Sequence, residues 1–168
     1  MEPKKSATHR SSPGRHLAPP YPRPRIVFGQ DQASRSDSEA EKPVRILVVE
    51  DDFLVAMQME SALIDAGFEV AGIASSGEDA IELAMSERPR LVVMDVRLAG
   101  DRDGIDTALS LFAEQGLRCI FATAHHDAHA RQRAEPASPL GWLAKPYTMA
   151  SLVTMVSRAL DELSSTPR

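Results

Sequence analysis

Six residues of this chain stand where strand-like segments stop. Glu50, Asp51 and Asp52 follow the apolar run 44–49, and Asp95 ends Leu91-Val92-Val93-Met94. Thr123 ends the run 118–122, and Lys145-Pro146 follows Trp142-Leu143-Ala144. A sheet edge built to hold a nucleotide presents a glycine-rich turn whose amides face phosphate. Three carboxylates occupy that place here. Carboxylates repel phosphate unless a cation stands between them, so converging acids at one edge point to a hard divalent ion, with Mg2+ the best match. Such an ion uses one or two carboxylates, keeps waters and completes its shell from a phosphoryl group. Taken singly, each acid is also explained as a loop former, and Asp52 as a helix N-cap. The joint placement of acids, hydroxyl and ammonium at successive strand ends carries the chemistry.

The elements that must position these residues are legible from period. The run 44–49 is β-branched and continuously apolar, as a strand buried on both faces requires. Val55, Met59, Ala62, Leu63 and Ala66 then recur at helical spacing, with Gly67 as the stop. Residues 68–74 read as a second strand. Ser76-Gly77-Glu78 opens a second helix with Ile81, Ala84 and Met85 on one face, and Pro89 ends that region. A third strand stops at Asp95. Ile105, Ala108, Leu109 and Phe112 mark a third helix closed by Gly116. The fourth strand covers 118–122, and 142–144 is a short fifth. Leu152, Val153, Val156, Leu160 and Leu163 mark a last helix. This alternation implies right-handed crossovers and a parallel sheet with helices on both faces. In such sheets the working residues lie beyond the carboxyl ends of the strands.

Composition sets the bounds. The chain has 168 residues, 43% hydrophobic and 26% charged, which suits one domain with a tail rather than uniform disorder. Residues 1–43 carry eight Lys/Arg against five Asp/Glu, a net of +3, while 44–168 carry eleven against nineteen, a net of −8. The first segment also holds seven of the twelve prolines and is expected to be a disordered Pro/Ser-rich tail. No apolar run reaches the roughly 20 residues of a membrane helix. The single Cys119 excludes an internal disulfide and a cysteine-built zinc site. A reducing, cytoplasmic setting is the expectation. The acidic 44–163 segment disfavours nucleic acid, and no DNA-reading module is visible.

Ile46-Leu47-Val48-Val49-Glu50-Asp51-Asp52, Val92-Val93-Met94-Asp95, Phe121-Ala122-Thr123-Ala124 and Leu143-Ala144-Lys145-Pro146 together resemble the receiver domain of bacterial two-component response regulators. The resemblance covers 44–163, leaving 164–168 as a flexible C-terminus. It implies an α/β, flavodoxin-like, doubly wound five-stranded parallel sheet of order 2-1-3-4-5 with five flanking helices. It also implies a stand-alone, CheY-like receiver, since only five residues follow Leu163. Phe121-Ala122-Thr123 is similar as well to a receiver subgroup of alphaproteobacterial stress signalling, although the residues that follow depart from its signature.

The resemblance further implies roles. Asp95 resembles the phosphoacceptor. Asp51 would bind Mg2+ directly, Glu50 through water, and Asp95 and the backbone carbonyl of Arg97 would complete the protein's share. Thr123 would hydrogen-bond the phosphoryl group and Lys145 would pair with it. Arg97 and His125, each two positions beyond a key residue, would tune the lifetime of the acylphosphate. Thr123 and Trp142 would act as the switch, with Trp142 standing where Tyr or Phe is usual; a fixed packing role for it is the alternative. The donor would be a sensor histidine kinase or a histidine phosphotransfer protein. Output would go to an unidentified downstream protein through the face of helix 4, strand 5 and helix 5, or the domain would serve as phosphate sink or relay, as a monomer or weak dimer. From Ala124 to Ala134 the only apolar residues are alanines, so helix 4 is expected to be short and weakly held. His125, His126 and His129 crowd that segment and read as surface histidines. Two other classes stay open: a phosphorylation-independent pseudo-receiver binding module, and a metal-dependent phosphatase. The second lacks a general acid two residues past the nucleophile, because position 97 is Arg.

Overall fold

The computed structural model describes residues 43–124 and 128–165. The expectations for residues 1–42, for His125 and His126 and for residues 166–168 lie outside the described residues. β1 (Arg45–Val49), β2 (Glu69–Ala74), β3 (Leu91–Asp95), β4 (Cys119–Thr123) and β5 (Gly141–Ala144) alternate with α1 (Phe53–Asp65), α2 (Gly77–Glu87), α3 (Gly104–Gln115), α4 (Ala128–Ala134) and α5 (Met149–Ser165). A 3-10 turn, Glu135–Ala137, joins α4 to β5. The strands form one sheet of order β2-β1-β3-β4-β5, every pair parallel.

Alternation of side chains along a strand divides the core in two. Ile46, Val48, Leu91, Val93 and Ile120 point to one face and pack on α1 and α5 through Met59, Leu63, Leu152 and Val156. Leu47, Val49, Val92, Met94 and Phe121 point to the other and meet α2, α3 and α4. Both sets are fully enclosed, which explains why β1, β3 and β4 read as unbroken apolar runs rather than alternating ones. Local signals fix the helix ends. Asp52, Ser76 and Asp103 are N-caps whose side chains accept backbone N–H groups of α1, α2 and α3. Gly116 closes α3 at φ 64°, a left-handed turn that glycine adopts without steric cost.

The helix faces differ in detail from the sequence expectation. Met85, assigned to the buried face of α2, is 64% exposed, and Ala80 and Ala84 make the contact instead. Ile81 is itself only partly buried, so the side of α2 that it shares with Met85 runs out toward solvent. The close approach of α2 to the sheet selects the smaller side chains. In α3, Ile105 and Ala108 are enclosed as expected and Leu111 joins them, while Leu109 and Phe112 are only half-buried. α4 is short as expected, with seven residues. Its alanines nevertheless form a core stripe: Ala130 and Ala134, four apart, are buried, and Ala137 of the following 3-10 turn is buried as well. Among the described residues, no helix is long and apolar enough to cross a membrane.

Candidate functional site

Strand register brings the singled-out residues to one edge. Val49 lies beside Met94, Asp95 beside Ala122, and Thr123 beside Ala144. The residues that end or follow these strands therefore meet above the carboxyl edge of the sheet. Glu50 continues from β1, its amide donating to the Ala74 carbonyl at 3.0 Å. Asp51 comes next, and Asp52 turns the chain into α1.

Carboxylate oxygens of Glu50, Asp51 and Asp95 all lie within 4.8 Å of one another. Glu50 and Asp95 are buried, 3% and 7% exposed, and Asp51 faces solvent. Lys145 reaches in from beyond β5. Its Nζ donates to Glu50 Oε2 at 2.8 Å and to Asp95 Oδ2 at 2.7 Å. The Lys145–Pro146 peptide is cis, and the Lys145 amide donates to the Thr123 carbonyl at 2.7 Å. The Arg97 amide donates to Asp95 Oδ1 at 3.3 Å, and the Asp52 amide to Glu50 Oε1 at 3.4 Å. Asp52 itself is spent on the α1 cap, 2.9 Å from the Leu54 amide, and is no part of the acid cluster.

Electrostatics follow from this geometry. Burial pushes the Glu50 carboxyl up from its ordinary value. The neighbouring Asp95 charge adds to the rise, and Lys145 opposes it without cancelling it. Burial alone would push the Lys145 ammonium down. Hydrogen bonds to Asp95 and Glu50, with their charges, outweigh that and hold it raised. Three carboxylates against one ammonium leave the pocket with surplus negative charge. Three oxygen donors in a surplus-negative, partly buried cluster fit a hard divalent cation.

The loop after β3 is held tightly. Gly104, the first residue of α3, packs so closely that a Cβ there would lie 1.9 Å from the Asp95 carbonyl oxygen. The structure thus brings together Glu50, Asp51, Asp95 and Lys145, with Thr123 buried at the end of β4. Arg97 is exposed at the rim. Trp142 is not in the acid cluster. It lies on the face of the sheet shared with Phe121, and the two rings stack with centroids 4.7 Å apart. Sequence reasoning passed over the outer face of α1. Phe53 and Leu54 are each 71% exposed, and Met57 and Ile64 are exposed as well. The signal was present: α1 carries apolar residues around its whole circumference, which an ordinary surface helix does not.

A parallel five-stranded sheet of this order, with an acid cluster and a lysine at its carboxyl edge, defines a signalling domain of the receiver type. The response regulator receiver domain family matches residues 46–157. The transcriptional regulatory protein PdtaR of Mycobacterium tuberculosis is 33% identical over 126 residues, 75% of this chain and 61% of that protein. The phyllosphere-induced regulator PhyR of Methylorubrum extorquens is 33% identical over 132 residues, 77% of this chain and 48% of that protein. The chain thus spans about half to three fifths of the length of these two relatives. Among solved structures, the signal receiver domain of a modulated diguanylate cyclase from Desulfovibrio desulfuricans is 33% identical. It superposes with a TM-score of 0.67, covering 73% of this chain and 98% of that one. The chain belongs to the response regulator receiver domain family.

Proposed function

We propose that this receiver accepts a phosphoryl group on Asp95 from a phosphohistidine protein, either a sensor histidine kinase or a histidine phosphotransfer protein. One observation carries the reading: a buried aspartate, a lysine bonded to it and two further acids share one strand edge. An Asp95 carboxylate oxygen attacks phosphorus in line as the P–N bond to imidazole breaks, leaving an aspartyl phosphate. Lys145 exchanges its present carboxylate partners for phosphoryl oxygens, and the Thr123 hydroxyl donates to another. Glu50, Asp51, Asp95 and the Arg97 carbonyl are the residues that would hold Mg2+, and the ion, when bound, neutralises charge on the transferring oxygens. Arg97, two positions beyond Asp95, and His125, two positions beyond Thr123 in the sequence, set how long the acylphosphate lasts. The exposed Phe53 and Leu54, on the first turn of α1 beside Asp51, offer the donor protein an apolar rim. Output goes to a protein partner through the face of α4, β5 and α5, or the domain acts as a sink or relay.

Incubation with acetyl phosphate and Mg2+, followed by intact-mass measurement, tests this. The expected result is a gain of one phosphoryl group that is lost in Asp95→Asn and blocked by chelation. No gain would leave a phosphorylation-independent binding module. Steady turnover of varied phosphate esters would mark a phosphatase.

A further inference from the structure

α4 is seven residues long and touches the core only through small alanines. Its two arginines add further attachments. Residues two apart on a helix point in different directions, and Arg131 and Arg133 reach different neighbours. Arg133 donates to Asp103 Oδ2 at 2.8 Å through Nη1 and to Asp106 Oδ1 at 2.9 Å through Nη2. Both acids sit at the start of α3. Asp103 is its N-cap, and its Oδ1 accepts the Asp106 amide at 2.9 Å. The next residue, Gly104, is the one wedged against the Asp95 carbonyl. Arg131 places its guanidinium 4.9 Å from the centre of the Trp142 ring, the ring that stacks on Phe121 of β4.

We propose that α4 is a two-point clamp, in which Arg133 fastens the helix to the α3 N-cap while Arg131 fastens Trp142 against Phe121, so that the two attachments support each other. Trp142 is then held in its stacked position by α4 rather than turning freely. A shift of the loop after Asp95 reaches the ring through Asp103, Arg133 and Arg131. This last step rests on the proposed phosphorylation of Asp95; the clamp itself does not. A chain of contacts alone does not establish coupling, so the test must measure coupling directly.

Trp142 is the only tryptophan of the chain, so intrinsic fluorescence and its acrylamide quenching report this ring alone. The full chain, Arg131→Gln, Arg133→Gln and the double variant are compared, with far-UV circular dichroism as the control for folding. Arg131→Gln is expected to raise the quenching constant about twofold as the cation leaves the ring face. Arg133→Gln, which touches no aromatic ring, is expected to raise it as well. The double variant should exceed the larger single effect only slightly. High salt on the unmodified chain supplies a second measurement should a variant fail to fold. At about 1 M the screening length falls to roughly 3 Å, which should mimic Arg133→Gln. A Trp142 signal that ignores both Arg133→Gln and salt would overturn the clamp, as would strictly additive effects. After acetyl phosphate and Mg2+, a chain shown by mass to be phosphorylated should change its quenching, and Arg131→Gln should change less. Full phosphorylation with no response at Trp142 would overturn the link to Asp95 and leave the phosphoacceptor reading intact. Failure to phosphorylate would sink that reading without touching the clamp.

Discussion

Lys145 Nζ stands 2.7 Å from Asp95 Oδ2 and 2.8 Å from Glu50 Oε2, so one ammonium serves two buried carboxylates that come from different strands. The lysine is where β5 hands the chain to α5, and the acids are where β1 and β3 end. The pairing therefore ties three strands together at one edge. It also balances charge that burial would otherwise make expensive.

Lys145→Ala removes that balance. Two buried carboxylates then face each other and the nearby Asp51. Breaking a buried pair in this way costs about 3 kcal/mol. The urea midpoint should fall accordingly in metal-free buffer. Millimolar Mg2+ should recover more stability for the variant than for the unmodified chain, because the cation replaces the missing charge. No Mg2+ response in either protein would show that the acid cluster does not bind the ion.

Gly104→Ala tests the close seat of α3. The added Cβ would lie 1.9 Å from the Asp95 carbonyl oxygen, a backbone atom that cannot rotate aside. Gly77→Ala makes a useful contrast. Its Cβ would lie 2.3 Å from Thr107 Oγ1, a side-chain rather than a backbone atom. Overpacking costs about 1–3 kcal/mol. Gly104→Ala should fall at or above the top of that range and also slow phosphorylation of Asp95 by acetyl phosphate. Gly77→Ala should cost less and leave phosphorylation unchanged.

The acid cluster and Lys145 were legible because each terminates an unmistakable apolar run, and a parallel sheet sends all such ends to one edge. The cap role of Asp52 was legible for the same reason, since it stands one residue before α1. What could not be read were contacts that depend on relative helix placement. Arg133 finds Asp103 thirty positions earlier in the chain. α4 has no strong apolar stripe to announce which way it faces. The assignment of Met85 to a buried face failed because apolar character does not say how near a helix lies to its sheet. Ala80 and Ala84 take that contact. The exposed Phe53 and Leu54 were hidden by the same ambiguity, since a helix apolar on every side does not declare which face is inner.

Cys119 supplies a pH prediction. It is enclosed in β4, and burial pushes its thiol up from 9.0 to about 12. In the folded chain the thiol therefore stays protonated well past the point where the unfolded chain ionises. Stability from this group is fully present below the unfolded value and is lost as pH rises from 9.0 toward about 12. The slope is about 1.4 kcal/mol per pH unit within that window. Cys119→Ala should flatten the alkaline limb of stability against pH, at the cost of a small cavity at neutral pH. A thiol reagent should modify the unmodified chain only as fast as it unfolds. Rapid modification under native conditions would show that the thiol is accessible.

The outer face of α1 separates the site's chemistry from its recognition of a donor. Phe53 and Leu54 are each 71% exposed, so Phe53→Ser with Leu54→Ser should change stability by less than about 0.5 kcal/mol. A small donor needs no docking surface. Phosphorylation by acetyl phosphate should therefore proceed at the unmodified rate in the double variant. A phosphohistidine protein must bring its imidazole to Asp95 across the rim that these two residues form. Transfer from such a donor should slow about tenfold, roughly 1.4 kcal/mol of lost apolar contact. Like charge argues against a second copy as the occupant. α1 carries Glu60 and Asp65, its N-cap is Asp52, and it has no Lys or Arg. Pairing two such helices would set acid against acid, so the chain should sediment as a monomer at micromolar concentration. Equal rates from both donors in the double variant would remove α1 from donor recognition and move the search to the other edges of the site.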